Sequence, residues 1–511
     1  MNEARKVSEE LEFDILCLQE PYSRGGKVPF FPISAQIITA GAHPKAAIVV
    51  LNSNIKVTAI TQLCDEWTIC IEVMTPVGRL IVVSSYFQYR METQLFLQKL
   101  RKILEVYHRD KIIINADTNS KSVLWHSPRT DERGELVESF LMEWNLEVLN
   151  KPGNPPTFKN RAGAESNIDV TFATRSVSED IWEWKVEDGL TTSDHNVVWF
   201  RVGGERTVPC HEEAKLNISR VNWTKAERLL DLPAVFPGCD VNEVTYRLAQ
   251  NIRKAVIESS PTSRKTENKN LGFWSNNLLR LRSIARARRK SYQRSRNQRI
   301  RALRLEIYRT AKRNYETELK KAKLSSWEKF VQENLVMDHW GTPYKIAMQK
   351  LKSPMVLSTL KKKDGTSTTG WRDSMELLME ELLPEDRVDE DKEFHRDLRR
   401  RANEVYNTAK TTEPFRPEEV EASLATMKRR KAPGPYGLKL EVLLKLKKKL
   451  IPHLTQLCNE CLTQEKFPNV WKQSNLIILK KSEDRDPTKP KSYRPICLIN
   501  TLGKLFEKLL I

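Results

Sequence analysis

The sequence has no apolar run approaching the roughly 20 residues needed to span a bilayer. Its first twenty residues, MNEARKVSEELEFDILCLQE, carry acids early and contain no signal-peptide core. Cysteine is sparse: eight in 511 residues, scattered without disulfide-like spacing, which predicts a reducing compartment. The single CxxC, Cys458 and Cys461 in LCNECL, has no second CxxC or His pair to complete a site. It lies in a helical pattern and reads as helix core or surface rather than zinc. Together these absences predict a protein that is neither membrane-bound nor secreted. What the chain does have is positive charge, with 85 Lys and Arg against 66 Asp and Glu, a net of +19. With no membrane segment, a charge of that sign points to nucleic acid as partner.

The chain divides into three regions. Residues 1–205 contain short β-branched runs bounded by polar or Gly/Pro residues: FDILCLQE, AAIVVLN, TICIEVMT, RLIVVSSYF, KIIINAD, NIDVTFAT and HNVVWFRV. Two helical patterns, METQLFLQKLRKILEVYHR and ELVESFLMEWNL, lie among them. Many strands with a few helices predict an α/β sandwich of two packed sheets with outer helices. In residues 206–410 strand signals vanish and charge rises, which predicts a basic helical connector. Acid is scarce over 278–323, where only Glu306, Glu316 and Glu318 interrupt a long run of helix formers. The run is either a solvated helix or a cationic helix that tracks a phosphate backbone through Arg286, Arg288, Arg289 and Lys290. Tyr292, Tyr308 and Tyr315 punctuate it, as core residues or as platforms for bases. The acidic stretch PEDRVDEDKEFHRD (384–397) reads as mobile. In residues 411–511 order returns, with a helix in FRPEEVEASLATMK opened by Pro417.

The chemistry gathers where the strands of the first region end. Glu20 ends DILCLQE, Tyr86 ends IVVSSY, Asp117 and Asn119 end IIINADTN, Asp169 sits in SNIDVTF, and Asp194 and His195 precede NVVWF. Polar residues at the ends of several buried strands can converge on one rim of a sandwich. Phosphodiester cleavage needs such a rim. A hard cation such as Mg²⁺, or Mn²⁺ in its place, takes carboxylate oxygens, which Glu20 and Asp194 can supply. A water must be deprotonated and aligned, which suits Asp117 held by Asn119. A histidine oriented by a carboxylate can hydrogen-bond the phosphate, which suits His195 with Asp169.

In this order and spacing, LQEP, NADTN, SNIDVTF and SDH resemble the endonuclease/exonuclease/phosphatase superfamily. NADTNSKSVLWHSPRTDERGELVESFL is most similar to the endonuclease domain of non-LTR (LINE-type, jockey-like) retrotransposons. The resemblance covers residues 8–203 and implies the four-layered two-sheet sandwich of that superfamily. It implies Glu20 as a metal ligand, Asp117 as the water-activating base and Asn119 as a partner of the phosphate or base. Asp169 and Asp194 would be acidic partners, His195 would face the phosphate, and Tyr86 would be the active-site tyrosine or its neighbour. The family's first strand, which ends in Asn about thirty residues before the Glu, is expected to be missing here, and with it an edge of one sheet. The glycine usual before the active-site Asp is Ala116.

The tail resembles the start of the reverse transcriptase that follows this endonuclease in such elements. KAPGPYGL is similar to the family's Ala-Pro-Gly-Pro-Asp-Gly-Ile segment, with Tyr436 in place of Asp. FPNVWKQSNLIILKKSEDRDPTKPKSYRPICLINTLGKLFEKLL matches the fingers region, where Arg494 would lie near nucleotide phosphates or template. The palm carboxylates that hold two Mg²⁺ ions do not occur in the sequence, so no polymerase activity is expected from these residues alone. The resemblance implies a Mg²⁺-dependent endonuclease that nicks target DNA to leave a 3′-OH for reverse transcription. Its partners would be target DNA and, through the basic helix, the element's RNA, with no small-molecule cofactor. It would act in the nucleus and otherwise be cytoplasmic. The alternatives are a non-catalytic nucleic-acid-binding remnant and a small-substrate phosphatase on the same fold.

Overall fold

The computed structural model describes the chain except residues 1, 76–77, 161–163, 204–217, 219–220, 261–272, 296, 349, 352, 384, 404–412 and 483. The chain forms two compact units. The first comprises Met1–Glu205, Glu267–Leu378 and Asp486–Pro490, and the second Arg206–Thr266, Met379–Arg485 and Lys491–Ile511.

The first unit opens with helix α1 (Asn2–Glu10), then strands β1 (Ile15–Gln19), β2 (Gln36–Ile38), β3 (Ala46–Val50), β4 (Val57–Ala59), β5 (Thr68–Thr75) and β6 (Gly78–Tyr86). Helix α2 (Thr93–Val106), β7 (Lys111–Asp117), α3 (Glu132–Glu143) and β8 (Leu146–Val148) follow. Next come β9 (Phe158–Lys159), β10 (Glu165–Ser166), β11 (Asp169–Thr174), β12 (Ile181–Glu187) and β13 (Val197–Val202). All seven β-branched runs are strands. A further short strand, β14 (Leu357–Ser358), completes a seven-stranded sheet in the order β14-β4-β5-β6-β7-β11-β8.

Alternation along these strands makes two cores. On one face of the large sheet, Ile81, Val83, Ile112, Ile114 and Phe172 pack against Phe96, Leu100 and Ile103 of α2 and Val137 and Phe140 of α3. On the other, Val82, Ile113 and Ala173 meet Ile48 and Val50 of β3 and Trp184 and Val186 of β12. The second β layer comes in two described pieces, β1-β3-β2 and β12-β13, so β1 and β13 are each bonded on one side only.

Two features depart from the sequence reading. The 206–410 stretch is not one connector body, because Glu267–Leu378 belongs to the first unit. Its helices Asn276–Gln293 and Gln298–Met337 pack on each other as a hairpin, with Tyr292 and Tyr308 stacked at 5.5 Å between ring centroids. Tyr292, Tyr308 and Tyr315 are all buried, so they serve the core. Strand β14 runs parallel to β4, and Trp371 N–H donates to the buried carboxylate of Glu72. The second is the acidic stretch 384–397, read as mobile, of which residue 384 lies outside the described residues. Here Glu393–Asn403 is helical, and Arg399 bonds both Asp386 and Asp391.

In the second unit, helices Val241–Glu258, Lys447–Thr463 and Thr501–Leu510 share one core with Val420 and Leu424 of the helix Pro417–Thr426. Cys458 and Cys461 lie inside that core, where burial pushes the Cys461 thiol up to about 12. Strands Ser474–Lys480 and Tyr493–Ile499 form a hairpin in which Arg494 is exposed. The APGPYGL loop packs against its end. A Cβ on Gly434 would sit 2.6 Å from the carbonyl carbon of Ile499, so only glycine fits there.

Candidate active site

Strand register assembles the site. Parallel pairing of β6 and β7 sets Tyr86 beside Asp117, and antiparallel pairing of β7 and β11 sets Asp117 opposite Asp169. Three polar residues thus stand side by side at one rim. Glu20 follows β1 with φ of 47° and is tied by its N–H to Lys45 O at 2.8 Å.

Asn119 turns the chain at φ 46°, a conformation asparagine tolerates better than most residues. Its backbone N–H donates to Asp117 Oδ1 at 3.2 Å and its Nδ2 to Phe87 O at 3.0 Å. His195 enters from the loop before β13. Its Nδ1 lies 3.0 Å from Asp169 Oδ2, its ring is 4.8 Å from that of Phe158, and its Nε2 is 3.9 Å from Asp117 Oδ2.

Charges are tightly coupled here. Burial pushes the Asp117 carboxyl up to about 8, helped by the Asp169 charge and opposed by His195 and the Asn119 N–H. Burial opposes charge on the His195 ring, yet the charge and hydrogen bond of Asp169, with Asp117 and Glu20 behind it, raise its pKa to about 9. The Tyr86 hydroxyl is held protonated by burial and by the Glu20 carboxylate.

Donor atoms of Asp117, Asp169 and His195 lie within 4.8 Å of one another, the one such group among the described residues. Burial and the facing Asp169 carboxylate together raise the pKa of the Asp117 carboxyl, and a divalent cation would relieve that electrostatic cost. The hard oxygens of both carboxylates suit Mg²⁺ or Mn²⁺. Asp194 is not in the group. Its carboxylate faces Arg289 of the helix Asn276–Gln293 at 3.3 Å. Of the four basic residues singled out on that helix, Arg286 bonds Leu190 O, Arg289 pairs with Asp194 and Lys290 pairs with Asp188 at 3.1 Å. Only Arg288 is exposed.

Two residues escaped the sequence reading. Arg133 in the first turn of α3 donates to the carbonyls of Tyr89, Met91 and Thr118, and so braces the loops beside Asp117. Its signal is the Gly that follows: a Cβ on Gly134 would lie 1.9 Å from Lys121 O, so the helix start is pressed against the loop after Asn119. Phe158 had no signal, because its contact with His195 joins the two-residue strand β9 to a loop distant in sequence.

Comparison with known proteins follows the same lines. The family profile described as "Endonuclease-reverse transcriptase" matches residues 80–199. A retrovirus-related Pol polyprotein from the type-1 retrotransposable element R1 of Bradysia coprophila is 28% identical over 96% of this chain and 49% of its own length. The RNA-directed DNA polymerase from mobile element jockey of Drosophila melanogaster is 22% identical over 100% of this chain and 56% of its own. The chain therefore spans about half the length of these curated relatives. Among solved structures, the endonuclease domain of TRAS1, a telomere-specific non-LTR retrotransposon, is 27% identical, covering 40% of this chain and 91% of that one with a TM-score of 0.36.

Proposed function

We propose, from the match of residues 80–199 to the endonuclease–reverse transcriptase family and the similarity to non-LTR retrotransposon polyproteins, that the first unit is a divalent-metal-dependent DNA endonuclease. It nicks one strand of target DNA and leaves a 3′-OH from which reverse transcription of the element's RNA can start. The observation that carries this reading is the Tyr86–Asp117–Asp169 register at one rim, with His195 bonded to Asp169.

The roles follow from the geometry. Asp117, buried and raised in pKa, takes the proton of the attacking water. Asn119 orients Asp117 through its N–H. Asp169 fixes His195 so that a protonated Nε2 faces the scissile phosphate, as a carboxylate orients a catalytic imidazole elsewhere. Glu20 would hold Mg²⁺, which when bound would neutralise charge building on the phosphoryl oxygens, leaving Asp117 as the base; Asp194, expected as a second ligand, is instead paired with Arg289. Tyr86 adds a hydroxyl donor at the same rim. Removing one such donor costs about 10²–10³ in rate.

The net charge of +19 favours DNA over a small phosphoester. Arg288 and Arg494, both exposed, are contacts for nucleic acid. The site of action is the nucleus, where target DNA lies. A plasmid-nicking assay tests the reading: the whole chain with Mg²⁺ converts supercoiled plasmid to open circles, and EDTA or His195→Ala stops it. Conversion that persists in both would overturn it.

A further inference from the structure

We propose that the helix Asn276–Gln293 is a working part of the endonuclease, and that Arg289 is a positioning residue that holds the Asp194–His195 loop in place. The inference rests on the endonuclease reading and assigns a role to a segment outside the family-matched residues 80–199.

The loop between β12 and β13 runs as turns and bends from Asp188 to Asp194, and His195 follows as a bridge to Phe158. Its backbone has few partners from the sandwich until Asp194, whose carbonyl accepts from Lys159 N–H at 2.9 Å. The outward polar groups before it are instead met from the helix. Arg282, Arg286 and Arg289 recur at helical spacing, so they share a face. Arg282 donates to Leu190 O at 3.0 Å, and Arg286 bonds the same carbonyl. Arg289 donates Nη1 to Thr191 O at 3.1 Å and Nη2 to Asp194 Oδ1 at 3.3 Å. Glu3 of α1 also accepts from Thr192 N–H at 2.8 Å.

These arginines are not a solvated cationic face. The side chains of Arg282 and Arg289 are 3% and 7% exposed. Taking a guanidinium out of water is costly, and it persists only where fixed acceptors meet its donors. Leu190 O and the Glu10 carboxylate meet two donors of Arg282, and Thr191 O and the Asp194 carboxylate meet two of Arg289. The planar fork of arginine spaces its donors rigidly, so one nitrogen can meet a carbonyl while another meets a carboxylate, whereas a lysine offers a single point charge. Arg289 uses its fork in that way, tying the backbone at Thr191 to the side chain of Asp194.

The consequence reaches the reaction through position. His195 follows Asp194 directly, and its ring must lie against Asp169 with Nε2 toward the phosphate. A loop released from Arg289 would let that ring wander. A misplacement of about 1 Å can cost about 10²-fold in rate. Arg289 touches neither substrate nor the Asp117–Asp169–His195 group, so its loss acts on turnover rather than on DNA affinity.

The test compares the whole chain with Arg289→Ala, Arg289→Lys and, as control, Arg280→Ala, an exposed arginine on the same helix. Two readouts are taken: steady-state nicking of a labelled duplex with Mg²⁺, and amide hydrogen exchange over residues 188–196. The proposal expects Arg289→Ala to lower kcat about 10–100-fold with KM within about twofold. It expects Arg289→Lys to recover kcat only in part, Arg280→Ala to match the unmutated chain, and exchange in 188–196 to quicken in Arg289→Ala. An Arg289→Ala protein with unchanged kcat, or with a raised KM alone, overturns it. Should the unmutated chain fail to nick, the endonuclease reading itself falls. The clamp is then judged by exchange: faster exchange in 188–196 upholds the loop-holding role of Arg289, and unchanged exchange refutes it.

Discussion

Asp117 and Asp169 face each other across the β7–β11 ladder, and His195 bridges them, 3.0 Å from one carboxylate and 3.9 Å from the other. Two acids that would repel, one buried and one half-buried, are thus reconciled by one imidazolium. The chemistry and the stability of the site both follow from that triangle.

Asp169→Asn keeps the shape and removes the charge. The charge and hydrogen bond of Asp169 overcome the effect of burial on His195 and hold its pKa near 9. Without them the ring loses its proton closer to the ordinary value of 6.5. The alkaline limb of the nicking pH–rate profile should move down accordingly. At pH 7.5 an imidazole of pKa near 6.5 keeps its proton in about one molecule in ten, so the rate should fall about tenfold, with DNA binding retained in a gel-shift measurement.

Asp117→Asn should abolish nicking and yet stabilise the metal-free protein. The folded carboxyl is raised from 3.8 to about 8. A raised pKa contributes stability that is fully present below the unfolded value and is lost as pH rises through the folded value. The unmutated chain therefore loses stability between about pH 4 and 8 that the amide does not lose. In EDTA, the melting temperature of Asp117→Asn minus that of the unmutated chain should grow from pH 5 to pH 8 and level off above it. A constant difference would contradict this account of the site.

Gly134→Ala tests the packing that holds the rim. The added Cβ would meet Lys121 O at 1.9 Å, a backbone atom that cannot rotate away. Overpacking of this kind costs about 1–3 kcal/mol. Denaturant midpoints should fall accordingly. The same substitution at Gly153, whose Cβ would meet nothing, is strained only by its φ of 78°.

Arg133→Ala removes the donor to three carbonyls around the rim. The loops that follow β6 and β7 would lose their common brace. Turnover should fall about tenfold or more, while the far-UV circular dichroism spectrum is unchanged, because no strand or helix bond depends on this side chain.

Much of the fold was legible because its strands announce themselves. Runs such as KIIINAD and RLIVVSSYF are β-branched, bounded, and end on polar residues. In a sandwich, strand ends share a rim, so Glu20, Tyr86, Asp117, Asp169 and His195 could be gathered before any coordinates. What was not legible depends on partners distant in sequence. The Arg289–Asp194 pair spans 95 residues and leaves no local pattern. An arginine-rich helix reads the same whether its charge faces water or a loop of its own protein. Strand β14 has two residues, too few to show a period, so the return of Glu267–Leu378 to the first unit was hidden behind a change in composition at residue 206.

We propose that the Asp117–Asp169–His195 rim cuts a phosphodiester and leaves an extendable end. The most direct measurement nicks a supercoiled plasmid with the whole chain and Mg²⁺, then adds a DNA polymerase with labelled nucleotides and no ligase or phosphatase. The account predicts label incorporated at the nick without end repair, because cleavage leaves a 3′-OH, and none with Asp117→Asn or His195→Ala. Nicks that accept label only after a phosphatase has removed a 3′-phosphate, or nicking that survives both substitutions, would contradict it.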